Sequence, residues 1–253
     1  MEVTLEQLLK GKATQIGKKE FYSTKDYIDP FLQSMGKFTD EFICKVKEPK
    51  QISIGEEKDI MYNRVYIQAV LPKNYWEYED HQQVISLIYG LDCKVPVVKI
   101  FRGGINMACL NLCVFNATYL NTQVLEPQKM YDISPIKNLM NLTDDLGVKI
   151  KKLKNTFISR DKVDMTNTLG KWVDFCIKSE YKSDFGKAKL SPTTAISAYK
   201  NLILNPDSEY YVPEDEEISL FTAYNAFTEL LRDDKDVVNP FEKNLLLNNL
   251  FEI

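Results

Sequence analysis

The amino-acid sequence predicts an α+β fold: an N-terminal antiparallel, hairpin-rich sheet followed by a C-terminal helical block. Three observations predict it. Strand-like apolar runs dominate residues 42–115. Two of those runs flank Gly103-Gly104, which reads as a hairpin turn because glycine adopts the positive φ of a primed turn at no steric cost. Farther on, Leu139, Leu142, Leu146, Ile150, Leu153 and Phe157 recur at spacings of three and four, one stripe of an amphipathic helix. Strands and helices in separate blocks, rather than alternating, define the class.

The strand candidates come first. Residues 42–46 form a short one and residues 61–71 a longer one, ended by Pro72. Residues 84–91, rich in Ile, Leu and Tyr, form a third. Residues 95–101 lead into the Gly-Gly pair, and residues 105–115 follow it. The helices come next. Ser134-Pro135 reads as an N-cap with proline at the first helical position, opening the helix that carries the leucine stripe. Residues 163–181 form a second helix, and Ser191-Pro192 opens a third that stops at Asn205-Pro206. Residues 216–231 and 241–251 give the last two. The acidic segment 205–217 is a loop whose final carboxylates complement the dipole of the following helix. A boundary near Glu126-Pro127 would separate a β-rich part, 1–126, from a helical part, 127–253; a single domain over 1–253 is the other arrangement.

The formal net charge of −4 argues against a surface that wraps duplex DNA as a whole. It leaves room for a local basic groove, because binding responds to the field at the site. The five cysteines are odd in number and follow no disulfide framework, so free thiols in a reducing compartment are expected. The first residues, Met-Glu-Val-Thr-Leu-Glu, lack the apolar stretch of a signal peptide, and no apolar run approaches the roughly 20 residues of a membrane span. These features predict a cytoplasmic protein.

The residues capable of chemistry are sparse. His81 is the single histidine, beside Asp80 in what reads as a polar loop, and one histidine cannot build a histidine-rich zinc site. Cys109 and Cys113 would lie roughly 13 Å apart along a strand, too far for two thiolates to share one zinc, so they read as buried small side chains. Neither metal nor cofactor is expected. Arg102-Gly103-Gly104 lacks the Lys-Ser/Thr of a phosphate-binding loop, yet an arginine at a hairpin tip could touch a phosphate. Lys149, Lys151, Lys152 and Lys154 cluster on the helix of the leucine stripe, with Arg160 and Lys162 beyond. Such a run is either a solvated face or a nucleic-acid groove. Tyr62, Arg64, Tyr66 and Gln68 stand at period two and would form an aromatic-basic stripe on one strand face, where bases stack on rings. The plain alternative is an ordinary half-exposed strand.

Two segments resemble a known group. Phe101-Arg-Gly-Gly-Ile-Asn-Met-Ala-Cys-Leu-Asn-Leu-Cys-Val114 and Tyr224-Asn-Ala-Phe-Thr-Glu229 are similar to motifs of a phage and plasmid group known as domain of unknown function nine-three-two, and of a related Bacteroidetes mobile-element group. In these a β segment with a Cys-x-Asn-Leu core precedes a helical half carrying Tyr-Asn-Ala-x-Thr-Glu. Where the larger group often has an acidic residue and a histidine next, this chain has Leu230-Leu-Arg-Asp233. The resemblance implies a phage or mobile-element origin and brings no activity with it. Asn111 and Asn225, with Thr228 and Glu229 beside the helix stripe, read as structural motif residues. The two amides could tie the sheet to the helix through buried hydrogen bonds, in which case Asn225→Ala lowers the melting temperature.

The sequence therefore leads to a non-enzymatic phage or mobile-element accessory protein that binds nucleic acid, of single-strand binding or annealing type, with self-association. Tyr62, Arg64, Tyr66, Arg102 and the four lysines would be its contacts, and no catalytic residue is expected. The alternative is a virion component or an inhibitor of host defence without a nucleic-acid ligand, using the acidic loop from Asp207 to Glu217.

Overall fold

The computed structural model describes residues 1–16, 20–47, 49–54, 57–73, 77–78, 81–90, 97–106, 112–119, 143–183, 186–232 and 239–252. The chain opens with β1 (Glu2–Val3), α1 (Leu5–Lys10), β2 (Lys12–Ile16), β3 (Glu20–Ser23) and α2 (Thr24–Met35). Both helices start from capping boxes. The Thr4 hydroxyl accepts from the Gln7 amide at 3.1 Å, and the Gln7 side chain accepts from the Thr4 amide at 2.9 Å. Ser23 and Asp26 repeat the arrangement at 3.1 and 3.0 Å. The first half thus holds two helices besides its strands.

The strands that follow are β4 (Phe42–Lys47), β5 (Lys50–Ile54), β6 (Glu57–Met61), β7 (Arg64–Val70), β8 (Glu77–Tyr78), β9 (His81–Gly90), β10 (Val97–Asn106) and β11 (Leu112–Tyr119). A seven-stranded sheet runs β1-β4-β7-β9-β10-β11, with β8 on β9, and its pairings are antiparallel. A smaller sheet runs β3-β2-β6-β5. The large-sheet register sets Cys44, Ile67, Leu87 and Ile100 in one row and Val46, Val65, Tyr89 and Val98 in another. These rows pack with Leu8 of α1 and with Tyr27, Ile28, Phe31 and Met35 of α2 in one core. The pleat sends the intervening residues to the opposite face. There the rows read Lys45, Tyr66, Ile88, Lys99 and Ile43, Gln68, Ser86, Phe101.

Two strand expectations are corrected. Residues 61–71 do not form one strand: Met61 closes β6 in the small sheet and Arg64 opens β7 in the large one. Tyr62 sits between them, its amide donating to the Lys12 carbonyl at 2.6 Å. Gly103-Gly104 is not a hairpin turn. Both glycines lie inside β10, paired with Val84 and Gln83 on one side and with Val114 and Cys113 on the other. The pairing with β11 slips between Arg102 and Gly103, where Phe115 is left without a partner, so a β-bulge in β11 lies opposite the glycines. β10 and β11 do form a hairpin, but its connection spans residues 107–111, which include Cys109 and Asn111 and lie outside the described residues, as do Ser134-Pro135 and Glu126-Pro127.

The second half comprises α3 (Thr143–Lys154), β12 (Phe157–Ile158), α4 (Lys162–Lys178), β13 (Tyr181–Ser183), β14 (Gly186–Ala188), α5 (Pro192–Ile203), β15 (Ile218–Ser219), α6 (Leu220–Arg232) and α7 (Asn239–Leu250). Asp161 and Ser191 cap α4 and α5. Phe157 leaves the leucine stripe and pairs with Ser219 instead. The last helix but one starts at Leu220 rather than residue 216, because Ile218–Ser219 are held as a strand and the Ser219 hydroxyl accepts from the Thr222 amide at 3.0 Å. A second core gathers Ile150, Leu153, Trp172, Leu202, Tyr224 and Phe227 around Phe251. The Phe251 ring lies 5.5, 5.7 and 6.1 Å from those of Tyr224, Phe227 and Trp172, the offsets that aromatic quadrupoles favour. The two halves meet at a buried ion pair: Lys99 Nζ of β10 stands 3.8 Å from Glu242 Oε1 of α7, their side chains 2% and 4% exposed.

Candidate nucleic-acid interface

Arg64, Tyr66 and Gln68 do share one face of β7, as period two requires. That face is interior along most of the row: Tyr66 and Gln68 are buried and Arg64 is half-buried. Burial pushes the Tyr66 phenol well above its usual range, against the opposing effect of a hydrogen bond with Ser86. Tyr62 is also buried. Its ring lies so close to Gly11 that a Cβ there would overlap it, and its carbonyl accepts from Tyr89 Oη at 3.1 Å. The expected stacking stripe is therefore corrected: these rings have no access to a base. Arg102 is corrected likewise. It occupies mid-strand, not a hairpin tip, and is fully buried on the side of β10 that carries Val98 and Ile100. His81, expected in a loop, opens β9 and pairs with Asn106.

The lysine helix is on the surface in part. On α3, Lys151 and Lys152 are exposed, and Lys149 and Lys154 are half-buried. Lys152 Nζ donates to the Glu252 carbonyl at 2.7 Å. Lys154 Nζ sits 4.8 Å above the Phe221 ring, a cation–π contact, and burial lowers its pKa. Lys151 and Lys152 are the two that face solvent.

A second basic cluster forms where the sequence gives little sign of one. The hairpin of β13 and β14 sets Lys182 directly opposite Lys187, a pairing that like-charge repulsion disfavours. Glu180 resolves it. Lys182, Lys187 and Lys189 place their ammonium groups 3.5, 3.5 and 3.1 Å from its carboxylate. The Lys189 hydrogen bond, more than any other cause, holds the Glu180 carboxyl below its usual range; partial burial opposes this, and the charges of Lys187 and Lys189 add to it. The three lysines remain 57–73% exposed while Glu180 is 18% exposed. One carboxylate thus balances one of three cations, and the others are presented outward. Lys-x-Lys at 187–189 is visible in the sequence; the hairpin that brings Lys182 to it is not.

The motif residues of α6 are interior. Asn225 and Thr228 are buried and Glu229 is half-buried, while Leu230 is on the exposed side. Thr228 Oγ1 donates to the Asn225 carbonyl at 3.0 Å. Asn225 Oδ1 has no hydrogen-bond partner among the described residues. Tyr224 Oη lies 3.2 and 3.3 Å from Asn244 Oδ1 and Asn248 Oδ1 of α7, so the Tyr-Asn-Ala segment stitches α6 to α7.

Other chemistry finds little footing in the described residues. Cys44 and Cys176 are free and buried, and burial pushes both thiols up to about 11, far from a reactive thiolate at neutral pH. Among the described residues no group of three His, Cys, Asp or Glu side chains could hold a metal ion. No helix there is long and apolar enough to cross a membrane. No protein-family model, no curated protein and no solved structure matches the chain. The α+β fold is clear, and the function has to be argued from the surfaces just described.

Proposed function

We propose that the protein is a non-enzymatic accessory protein, of the phage or mobile-element kind that its two motif segments resemble, which grips the phosphate backbone of a nucleic acid through exposed lysines. The observation that carries this reading is the convergence of Lys182, Lys187 and Lys189 on Glu180. It leaves a local positive excess on a chain whose net charge is −4. Lys151 and Lys152, exposed on α3, add a second basic point in the same half. Ammonium groups that replace condensed counterions on phosphates give binding that is independent of sequence and steeply sensitive to salt. With Tyr62 and Tyr66 buried, the sheet offers them no role in stacking, so the strand would be held by its phosphates rather than by its bases.

Fluorescence anisotropy with labelled single-stranded and duplex oligonucleotides tests this. Binding should weaken linearly in log–log form as salt rises. The Lys182→Glu/Lys187→Glu chain should bind more weakly, with a salt slope reduced by about 1 for each phosphate that is no longer neutralised. No binding at low salt, or an unchanged slope in that variant, would overturn the proposal.

A further inference from the structure

Between α4 and the β12–β15 ribbon lies an open groove of about 640 Å³. Phe157, Ile158 and Leu220 supply its apolar part, and Asp164, Asn167 and Thr168 of α4 its polar wall. Phe157 is 51% exposed, although burying a phenyl ring is worth about 1.5–3 kcal/mol. Gly170 also lines the groove, and a Cβ there would meet nothing within 4 Å. The groove is wide, apolar on one side and hydrogen-bonding on the other.

The charge around it selects the occupant. The chain passes from Ser159 through the Asp161 cap to Asp164, so Asp164 belongs to the Ser159 end. Glu216 and Glu217 are exposed and immediately precede Ile218, the register partner of Ile158, which brings them to that same end. Lys171 lines the groove two helical turns beyond Asp164, roughly 10 Å along the axis. Arg160, whose guanidinium donates to the Val212 carbonyl at 2.6 Å, and the exposed Lys162 lie at that end too. The carboxylates of Asp161, Asp164, Glu216 and Glu217 outnumber these cations two to one, so the end is net acidic where the lysine surface is net basic. We infer that the groove docks an extended segment of a partner protein, with an apolar side chain laid over Phe157 and Leu220 and an arginine or lysine reaching Asp164 and Glu217. The inference is independent of nucleic-acid binding.

A fluorescein-labelled hexapeptide of alternating arginine and leucine, with a glutamate-for-arginine control, is the probe. The native chain should bind the arginine peptide and not the control. Phe157→Ala should weaken it at least tenfold, and Asp164→Asn or Glu217→Gln severalfold, with oligonucleotide affinity unchanged. The Phe157→Trp chain keeps an aromatic surface and should report docking directly by a blue shift of its emission. Circular dichroism melts of each variant show that the fold persists. Equal binding of both peptides, unchanged affinity in Phe157→Ala, or no binding up to millimolar peptide would overturn the inference. Absence of oligonucleotide binding by the native chain would leave it standing and would sink the lysine proposal instead.

Discussion

Asn225 carries a buried amide oxygen with no hydrogen-bond partner among the described residues. Such an acceptor has already given up water without compensation. Asn225→Ala removes that liability together with a few packing atoms, so the two effects offset. The expected stability change is within about 1 kcal/mol, read from the urea midpoint at constant m. A loss of about 2 kcal/mol or more would mean that the amide is tied into the fold, as the sequence suggests. Tyr62 and Tyr66 teach a related lesson. Period two correctly joins Arg64, Tyr66 and Gln68 on one face, but no local pattern says whether that face is covered. For Tyr62 the answer lies with Gly11, some fifty residues earlier, whose missing side chain makes room for the ring.

The β13–β14 hairpin is held at its base by the lysines around Glu180. Because its carboxyl is held below the usual range, its contribution to the hairpin is complete above the ordinary carboxylate pKa. It is lost only as pH falls through the depressed folded value. At neutral pH the carboxylate competes with phosphate for the same ammonium groups. Glu180→Gln should therefore tighten oligonucleotide binding by about threefold at low salt, the scale of an exposed charge contact; weaker binding would show that Glu180 serves mainly to position the lysines. Elements are legible in the sequence where they declare themselves locally: Ser191-Pro192 opens α5 as its residue types indicate. The capping boxes of α1 and α2 are equally local, Thr4 with Gln7 and Ser23 with Asp26, yet they lie outside the strand-rich stretch that sets the expectation for the first half. β12 and β15 are not legible, since two-residue strands exist only through each other.

Across the whole molecule, the separation of strands from helices is enough to give the α+β class. What joins the halves is not legible, because Lys99 and Glu242 are far apart in sequence and neither looks buried. The pair sits almost out of reach of water, where losing one partner removes charge compensation that water cannot replace. Glu242→Gln should cost about 3–5 kcal/mol, and Lys99→Met/Glu242→Leu should recover most of that; both are read by urea unfolding. A small loss for the single change would show that other groups around the pair compensate the remaining charge.

That pair also has a consequence in time. A ribosome makes the strands before the helices, so the chain through Tyr119 can assemble its sheet while α7 is still unmade. At about 5–20 residues per second, the delay before Glu242 arrives is roughly 6–25 s. Throughout that wait the uncovered sheet face shows Arg64, Tyr66, Gln68, Ser86 and Lys99 to its surroundings in place of a purely oily surface. Polar residues that cost stability in the finished protein would keep the nascent one from sticking to its neighbours. On dilution from denaturant, the Lys99→Met/Glu242→Leu chain should accordingly scatter more light than the native chain, even though its folded state recovers most of the stability.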